Sequence, residues 1–189
     1  MKQGIIIVTS KQTEPFYNDL LFSLKDYTKY PVYIHRNTFE NNHYEMSGIY
    51  LGMKLGLEEF FLLPDTCEIK NTDIFFKSFN IYEGYSVSIG ALLPYIKGYV
   101  SYVGKYRLDV LKQIEIPQCN SKSDAIKIER EFHELYLKKE QNYIELFPDF
   151  WLQERRYEEK HNRHNLINEN EFIKKYKATY DVRMCKEIL

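Results

Sequence analysis

Asp65 stands just after an apolar run, Phe60-Phe61-Leu62-Leu63, from which only Pro64 separates it, and Glu68 follows three positions later. A carboxylate emerging from an apolar strand, with a second one near, offers the oxygen ligands that a hard divalent cation takes. Such an ion would bridge a diphosphate and ease the departure of a nucleotide. The same Asp also suits a plain turn after a strand, because its side chain bonds its own backbone there. Both readings are open at this point. His161 and His164 lie three apart in a polar run, Glu158 to Asn165. Histidine is a frequent metal ligand and a phosphate partner. His164, beside Asn165 and the apolar pair Leu166-Ile167, is the better anchored of the two, whereas His161 reads as part of a solvated loop. In Gly104-Lys105-Tyr106-Arg107 two cations flank an aromatic residue. That is a clamp for an anion or an acceptor, or equally a solvated helix start. The charges Glu129-Arg130-Glu131 and Lys138-Lys139-Glu140 read as an exposed helix face with i,i+4 pairs.

Other chemistries are absent. The first loop, Thr9-Ser10-Lys11, has no glycine, and neither G-x-G-x-x-G nor G-x-x-x-x-G-K-[ST] occurs anywhere. A phosphate held there needs a metal ion or Arg and Lys side chains as counter-charge. The formal net charge is −1, so no global basic field exists to hold a polyanion. Cys67, Cys119 and Cys185 are odd in number and far apart, which argues against a disulfide framework and a structural zinc site. A reducing cytoplasm is the expected compartment. The run Gly4 to Val8 is too short for a signal peptide or a membrane span, and no later stretch reaches spanning length. The 17 Tyr and single Trp suit a half-wet cleft, or are ordinary buried aromatics.

These residues need a frame to bring them together. Ile5-Ile6-Ile7-Val8 is a β-branched run suited to a strand buried on both faces. Thr13 is placed to cap a following helix with Pro15 in its first turn, and Phe16, Leu20, Leu21 and Leu24 recur at helical spacing. Pro31 to His35 reads as a second strand. Met46, Ile49, Tyr50, Met53 and Leu57 mark a second helix that Gly56 ends, and Phe60 to Leu63 is a third strand closed by Pro64. Two βα units and a further strand predict an α/β fold with a parallel sheet. Downstream the pattern predicts a short helix over 74–79, strands over 86–89 and 99–103, helices over 105–113 and 124–142, and a final helix over 171–179. The 189 residues fit one domain. In an open parallel sheet, ligands bind beyond the carboxyl ends of the strands. Three loops meet that condition: Thr9-Ser10-Lys11, His35-Arg36-Asn37 and Asp65-Thr66-Cys67-Glu68.

The ordered set of segments resembles the GT-A-fold glycosyltransferases, in particular small bacterial and phage proteins related to glycosyltransferase family 2. Four stretches carry the likeness: Ile5 to Ser10; Glu45-Met46-Ser47-Gly48 with Phe60 to Thr66; Gly104 to Arg107; and Glu159 to Leu166 leading to Asn170-Glu171. The resemblance implies a GT-A-like (Rossmann-like), mostly parallel sheet flanked by helices, with a helical C-terminal part. It implies one domain over 1–189, with residues 1–70 binding the nucleotide sugar and 71–189 forming the acceptor side and C-terminal helices. It further implies transfer of a sugar from a nucleotide-diphosphate sugar, a UDP-sugar, to an acceptor hydroxyl, with Mn²⁺ or Mg²⁺ as cofactor. By that likeness Thr9, Ser10, Arg36, Glu45, Gly48, Asp65 and Thr66 lie at the nucleotide sugar, and Asp65, Glu68 and His164 hold the metal. The family's acidic motif is often D-x-D. Here Cys67 takes the place of its second acid, and Glu68 is the substitute. An inverting enzyme needs a carboxylate base near the acceptor, for which Asp109 and Glu115 are the candidates.

The acceptor could be a glycan, a lipid-linked sugar or a modified nucleic acid base, and a homo-oligomer is compatible with the short acceptor side. Two other functions compete. One is a catalytically inactive GT-A-like module that binds nucleotide, with Cys67 marking a lost metal site. The other is a phage DNA-base glycosyltransferase, against which the near-neutral charge speaks mildly.

Overall fold

A computed structural model describes residues 1–10, 14–38, 45–89, 103–117, 122–147 and 165–177. β1 (Gln3–Ser10) buries six consecutive residues, Gly4 to Thr9, so it faces helices on both sides. α1 (Glu14–Leu24) returns the chain to β2 (Val32–Asn37), which pairs parallel with β1. α2 (Met46–Leu55) then leads to β3 (Glu59–Pro64), parallel to β1 on its other side. Gly56 ends α2 at φ 63°, a left-handed conformation that glycine takes without steric cost. These units match the expected spans closely.

β4 (Cys67–Ile69) and α3 (Thr72–Asn80) follow, the helix capped by the Asn71 side chain accepting from the Ile74 N–H (3.0 Å). Then come β5 (Ser86–Ser88), β6 (Gly104–Arg107), the short α4 (Leu108–Leu111), α5 (Lys122–Lys139) and β7 (Tyr143–Glu145). Among the described residues the main sheet has the order β2-β1-β3-β6-β5-β7. β6 is antiparallel to both of its neighbours, and the other strands run one way. A second sheet, ordered β4-β9-β8, is built from β4 and the hairpin of β8 (Asn165–Glu169) and β9 (Ile173–Lys177).

The main sheet separates two cores. Ile5, Ile7, Phe61 and Leu63 pack with Leu20 and Leu24 of α1 and Phe75, Phe76 and Phe79 of α3. Cys67, Ile69 and Ile173 bring the small sheet onto this side. Ile6, Val8, Phe60 and Leu62 pack with Met46 and Ile49 of α2, Val110 and Leu111 of α4, and Phe132 and Tyr136 of α5. Each fully buried large apolar side chain contributes about 1.5–3 kcal/mol.

Two expectations are corrected, and a third falls largely outside the described residues. The final helix over 171–179 is strand β9 as far as Lys177, with 178–179 outside the described residues. Phe172, Ile173 and Tyr176 do fall at helical spacing, but pairing with β4, some 100 residues away, overrides that local signal. The helix expected over 105–113 begins only at Leu108, because 104–107 is β6. Of the strand expected over 99–103 only Val103 is described; its carbonyl accepts from the Ile89 N–H (3.0 Å), just ahead of β6. The helices expected over 74–79 and 124–142 are present as α3 and α5. The Thr13 cap lies outside the described residues.

Candidate functional site

The parallel register sets the site. Thr9 of β1 lies opposite Arg36 of β2, and Ser10 opposite Asn37. On the other side of β1, Val8 is level with Pro64, and the Asp65 N–H donates to the Val8 carbonyl (3.1 Å). Arg36, Thr9 and Asp65 therefore form a row across the carboxyl edge of three adjacent strands. Strand alternation puts all three on the side of α1, since Ile7 and Leu63 face that core. Thr9 and Asp65 are buried, and the exposed Arg36 guanidinium sits 5.8 Å from the ring centroid of Tyr17 on α1. A guanidinium over an aromatic face is held by the ring quadrupole.

The other side of the same edge carries Ser10, Asn37 and the start of α2. The Ser47 hydroxyl donates to the Asn37 Oδ1 (2.7 Å) and is buried. Glu45 immediately precedes α2, its carbonyl accepting from the Gly48 N–H (2.9 Å). Gly48 faces the sheet instead of the edge: a Cβ there would come 2.3 Å from Leu62 Cδ1 and 2.8 Å from Val8 Cγ2. Its place in the family-like segment reflects close helix–sheet packing.

Thr66 occupies the turn between β3 and β4, and the next residues diverge. Cys67 is buried in the core with Ile69 and Ile173. Glu68 alternates to the opposite face, where both its carboxylate oxygens accept from the Lys174 ammonium (3.1 and 3.3 Å). Lys70 extends the pattern with Glu169 at 2.6 Å. The register pairs Glu68 with Lys174 and Lys174 with Glu169, so these four residues form a ladder of alternating charge across the small sheet. The described residues contain no cluster of three His, Cys, Asp or Glu placed to hold a metal ion. His161, His164 and Lys11 lie outside the described residues. Asn165, next after His164, opens β8 opposite Lys177.

The remaining candidates stand elsewhere. Because β6 is antiparallel to β3, Arg107 is level with Glu59, at the amino edge of the parallel strands. Lys105 is buried. Its ammonium donates to the Tyr82 carbonyl (2.9 Å) and lies 3.8 Å from Glu59, which also accepts from Gln3 (2.7 Å). Burial pushes its pKa down, and Glu59 counters that shift. Tyr106 is in the α2-side core, its hydroxyl bonded to His133 Nε2 (3.1 Å), and burial raises its pKa. Arg107 donates to the Gly84 carbonyl (2.6 Å), Asp109 (2.6 Å) and Glu140 (3.3 Å). Asp109 is thus at the amino edge too. Glu115 is exposed between Ile114 and Ile116, which pack on the α2-side core. The structure places Lys105, Arg107 and Asp109 toward the amino edge, away from Asp65, and Tyr106 in the α2-side core that Ile114 and Ile116, on either side of Glu115, also join. It adds Tyr17, beside Arg36, and the hydrogen bond that joins Ser47 to Asn37 at the end of β2.

No protein-family model matches the sequence, and no curated protein matches it. Solved structures do match by shape. S. aureus TarS 1–349 aligns with a TM-score of 0.52 and 14% identity, covering 76% of this chain and 58% of that one. Its complex with UDP gives 0.53 and 14%, covering 76% and 57%. A glycosyltransferase involved in the glycosylation of the major capsid of PBCV-1 gives 0.52 and 14%, covering 77% and 82%. This chain thus spans less than two thirds of TarS 1–349. Identity this low speaks for the fold alone, and the chain has the GT-A-like α/β fold shared with these proteins.

Proposed function

We propose that the chain transfers a sugar from a nucleotide-diphosphate sugar, most simply a UDP-sugar, to an acceptor hydroxyl. The observation that carries this reading is the row Arg36–Thr9–Asp65 at the carboxyl edge of β2, β1 and β3, where open parallel sheets bind ligands. A hydroxyl, a carboxylate and a guanidinium side by side match the mixed polarity of a sugar nucleotide. The carboxylate accepts from hydroxyls or a base N–H, and the guanidinium donates to phosphate oxygens. Support comes also from the fold neighbours, since TarS 1–349 has been solved with UDP and with UDP-GlcNAc.

A thermal-shift screen against nucleotides and UDP-sugars tests the reading, because a ligand of the folded state raises the melting temperature. UDP and at least one UDP-sugar should shift it, and Asp65→Ala should remove the shift. No response to any nucleotide sugar would end the proposal. A second reading, nucleotide binding without turnover, is favoured by the position of Asp109, which is far around the sheet from Asp65 in the β6 register. Release of UDP from a UDP-sugar in the presence of acceptor glycans separates the two.

A further inference from the structure

We propose that Tyr17 is a positioning residue of the ligand site: its ring, fixed on α1, holds the Arg36 guanidinium in the site row, set to meet a phosphate oxygen of the ligand. The inference rests on the sugar-nucleotide reading above and concerns the same edge. Of the three members of the row, Thr9 and Asp65 are buried and Arg36 is exposed. The neighbours of a buried side chain fix its direction. A long exposed one has many rotamers, and fixing it only when the ligand arrives costs affinity. Arg36 is thus the member whose place a neighbouring group has most to gain by setting.

Tyr17 is built to do this. It lies near the start of α1 (Glu14–Leu24), on the part of the helix nearest the carboxyl edge, because α1 leaves that edge and returns the chain to the parallel strand β2. Its side chain is 8% exposed and packs in the α1-side core with Ile7, Leu20 and Leu24. Ile7 is two residues before Thr9 on the same face of β1, so the ring is anchored just beneath the row. Arg36 comes from β2 opposite Thr9, and strand alternation turns it to this same side. Its guanidinium carbon lies 5.8 Å from the Tyr17 ring centroid, inside the roughly 6 Å over which the ring quadrupole attracts a cation. A guanidinium is planar and weakly hydrated, so it gives up little on meeting a ring face and keeps its edge N–H donors for an anion. The core fixes the ring, and the ring fixes the cation.

Calorimetric titration of the full chain with UDP, and with uridine as the probe that lacks phosphate, tests the proposal. Tyr17→Leu keeps an apolar side chain in the core and removes the ring. It should weaken UDP binding by about three- to tenfold and leave uridine within about twofold of the parent. Persisting uridine binding also reports that the fold is intact. Tyr17→Phe, which retains the ring, should restore UDP binding to the level of the parent. In an Arg36→Gln background, Tyr17→Leu should cost UDP nothing further, whereas a ring that matters only as packing would cost the same in both backgrounds. Unchanged UDP affinity in Tyr17→Leu, an equal loss for uridine, or additive losses in the double variant overturn the inference and leave the sugar-nucleotide reading standing. If Tyr17→Leu does not fold, NMR relaxation of the ligand-free parent decides. The Arg36 Nε–H signal, assigned by its loss in Arg36→Gln, should report a restrained side chain, and a freely rotating one overturns the inference. A parent protein that binds neither probe overturns inference and reading together.

Discussion

The Asp65 amide bonds the Val8 carbonyl at 3.1 Å, which carries the β1–β3 ladder one residue past Pro64 and fixes Asp65 beside Thr9. The bond belongs to the backbone, so the charge of the side chain can be removed without releasing the turn. Asp65→Asn should stay within about 1–2 kcal/mol of the parent in urea unfolding. It should weaken UDP binding by about tenfold or more, because a hydrogen bond to a charged acceptor is worth about 1.5–3 kcal/mol.

Cys67→Asp would restore the acidic pattern of the family that the sequence resembles. The structure turns that substitution into a core lesion: the site is 1% exposed, among Ile69, Ile173 and other apolar side chains. Burying a carboxylate there without partners should cost about 3 kcal/mol or more, seen as a fall in unfolding free energy with no gain in Mn²⁺ binding. A well-folded variant that binds Mn²⁺ tightly contradicts this.

Gly48→Val should destabilise by about 1–3 kcal/mol or more, since a Cβ alone already overlaps Leu62 and Val8. The loss should appear in melting temperature. UDP affinity, measured well below the new midpoint, should change little, because the residue faces the sheet.

The Lys105–Glu59 pair makes a paired prediction. Glu59→Ala removes the nearer carboxylate from a buried ammonium, leaving the Tyr82 carbonyl and the weaker influence of Glu83, and should cost about 3–5 kcal/mol. Adding Lys105→Met to it should recover part of that loss. Neither change should alter UDP binding, whereas a phosphate clamp at Lys105 would lose it.

His133 is fully buried, and burial drives its pKa from 6.5 to about 3. Its Nδ1–H donates to the Glu129 carbonyl (2.8 Å), which leaves Nε2 to accept from the Tyr106 hydroxyl. The folded state thus keeps a neutral ring while the unfolded chain takes a proton below pH 6.5. Stability is fully present above that pH and is lost as pH falls toward about 3, by about 1.4 kcal/mol per unit inside the window. His133→Gln should flatten this slope relative to the parent in denaturation series at pH 4 to 7.

The first half of the chain was legible because its signals are local. Ile5 to Val8 and Phe60 to Leu63 are unbroken apolar strands, and Gly56 marks its helix end unambiguously. The row at Asp65 followed from the strands alone. The rest depends on distant pairing. β6 hides a buried lysine, so Lys105 reads as surface, and only the register with Glu59 shows what satisfies it. Glu68 gives no sign in the sequence of the ion pair it makes with Lys174, 106 residues away. The hairpin of β8 and β9 is polar enough, and Phe172 and Tyr176 spaced well enough, to pass for a helix.

The reversed direction of β6 divides labour between the two rims of the sheet. One rim ends β1, β2 and β3 and carries the row Arg36, Thr9 and Asp65 on which the proposed function rests. The other gathers Gln3, Glu59, Lys105, Arg107 and Glu140 into bracing contacts. Under the proposed function, bracing and ligand contact thus fall to separate parts of the chain. Substitutions that strengthen the braced rim can raise the working temperature of the protein without touching what it binds.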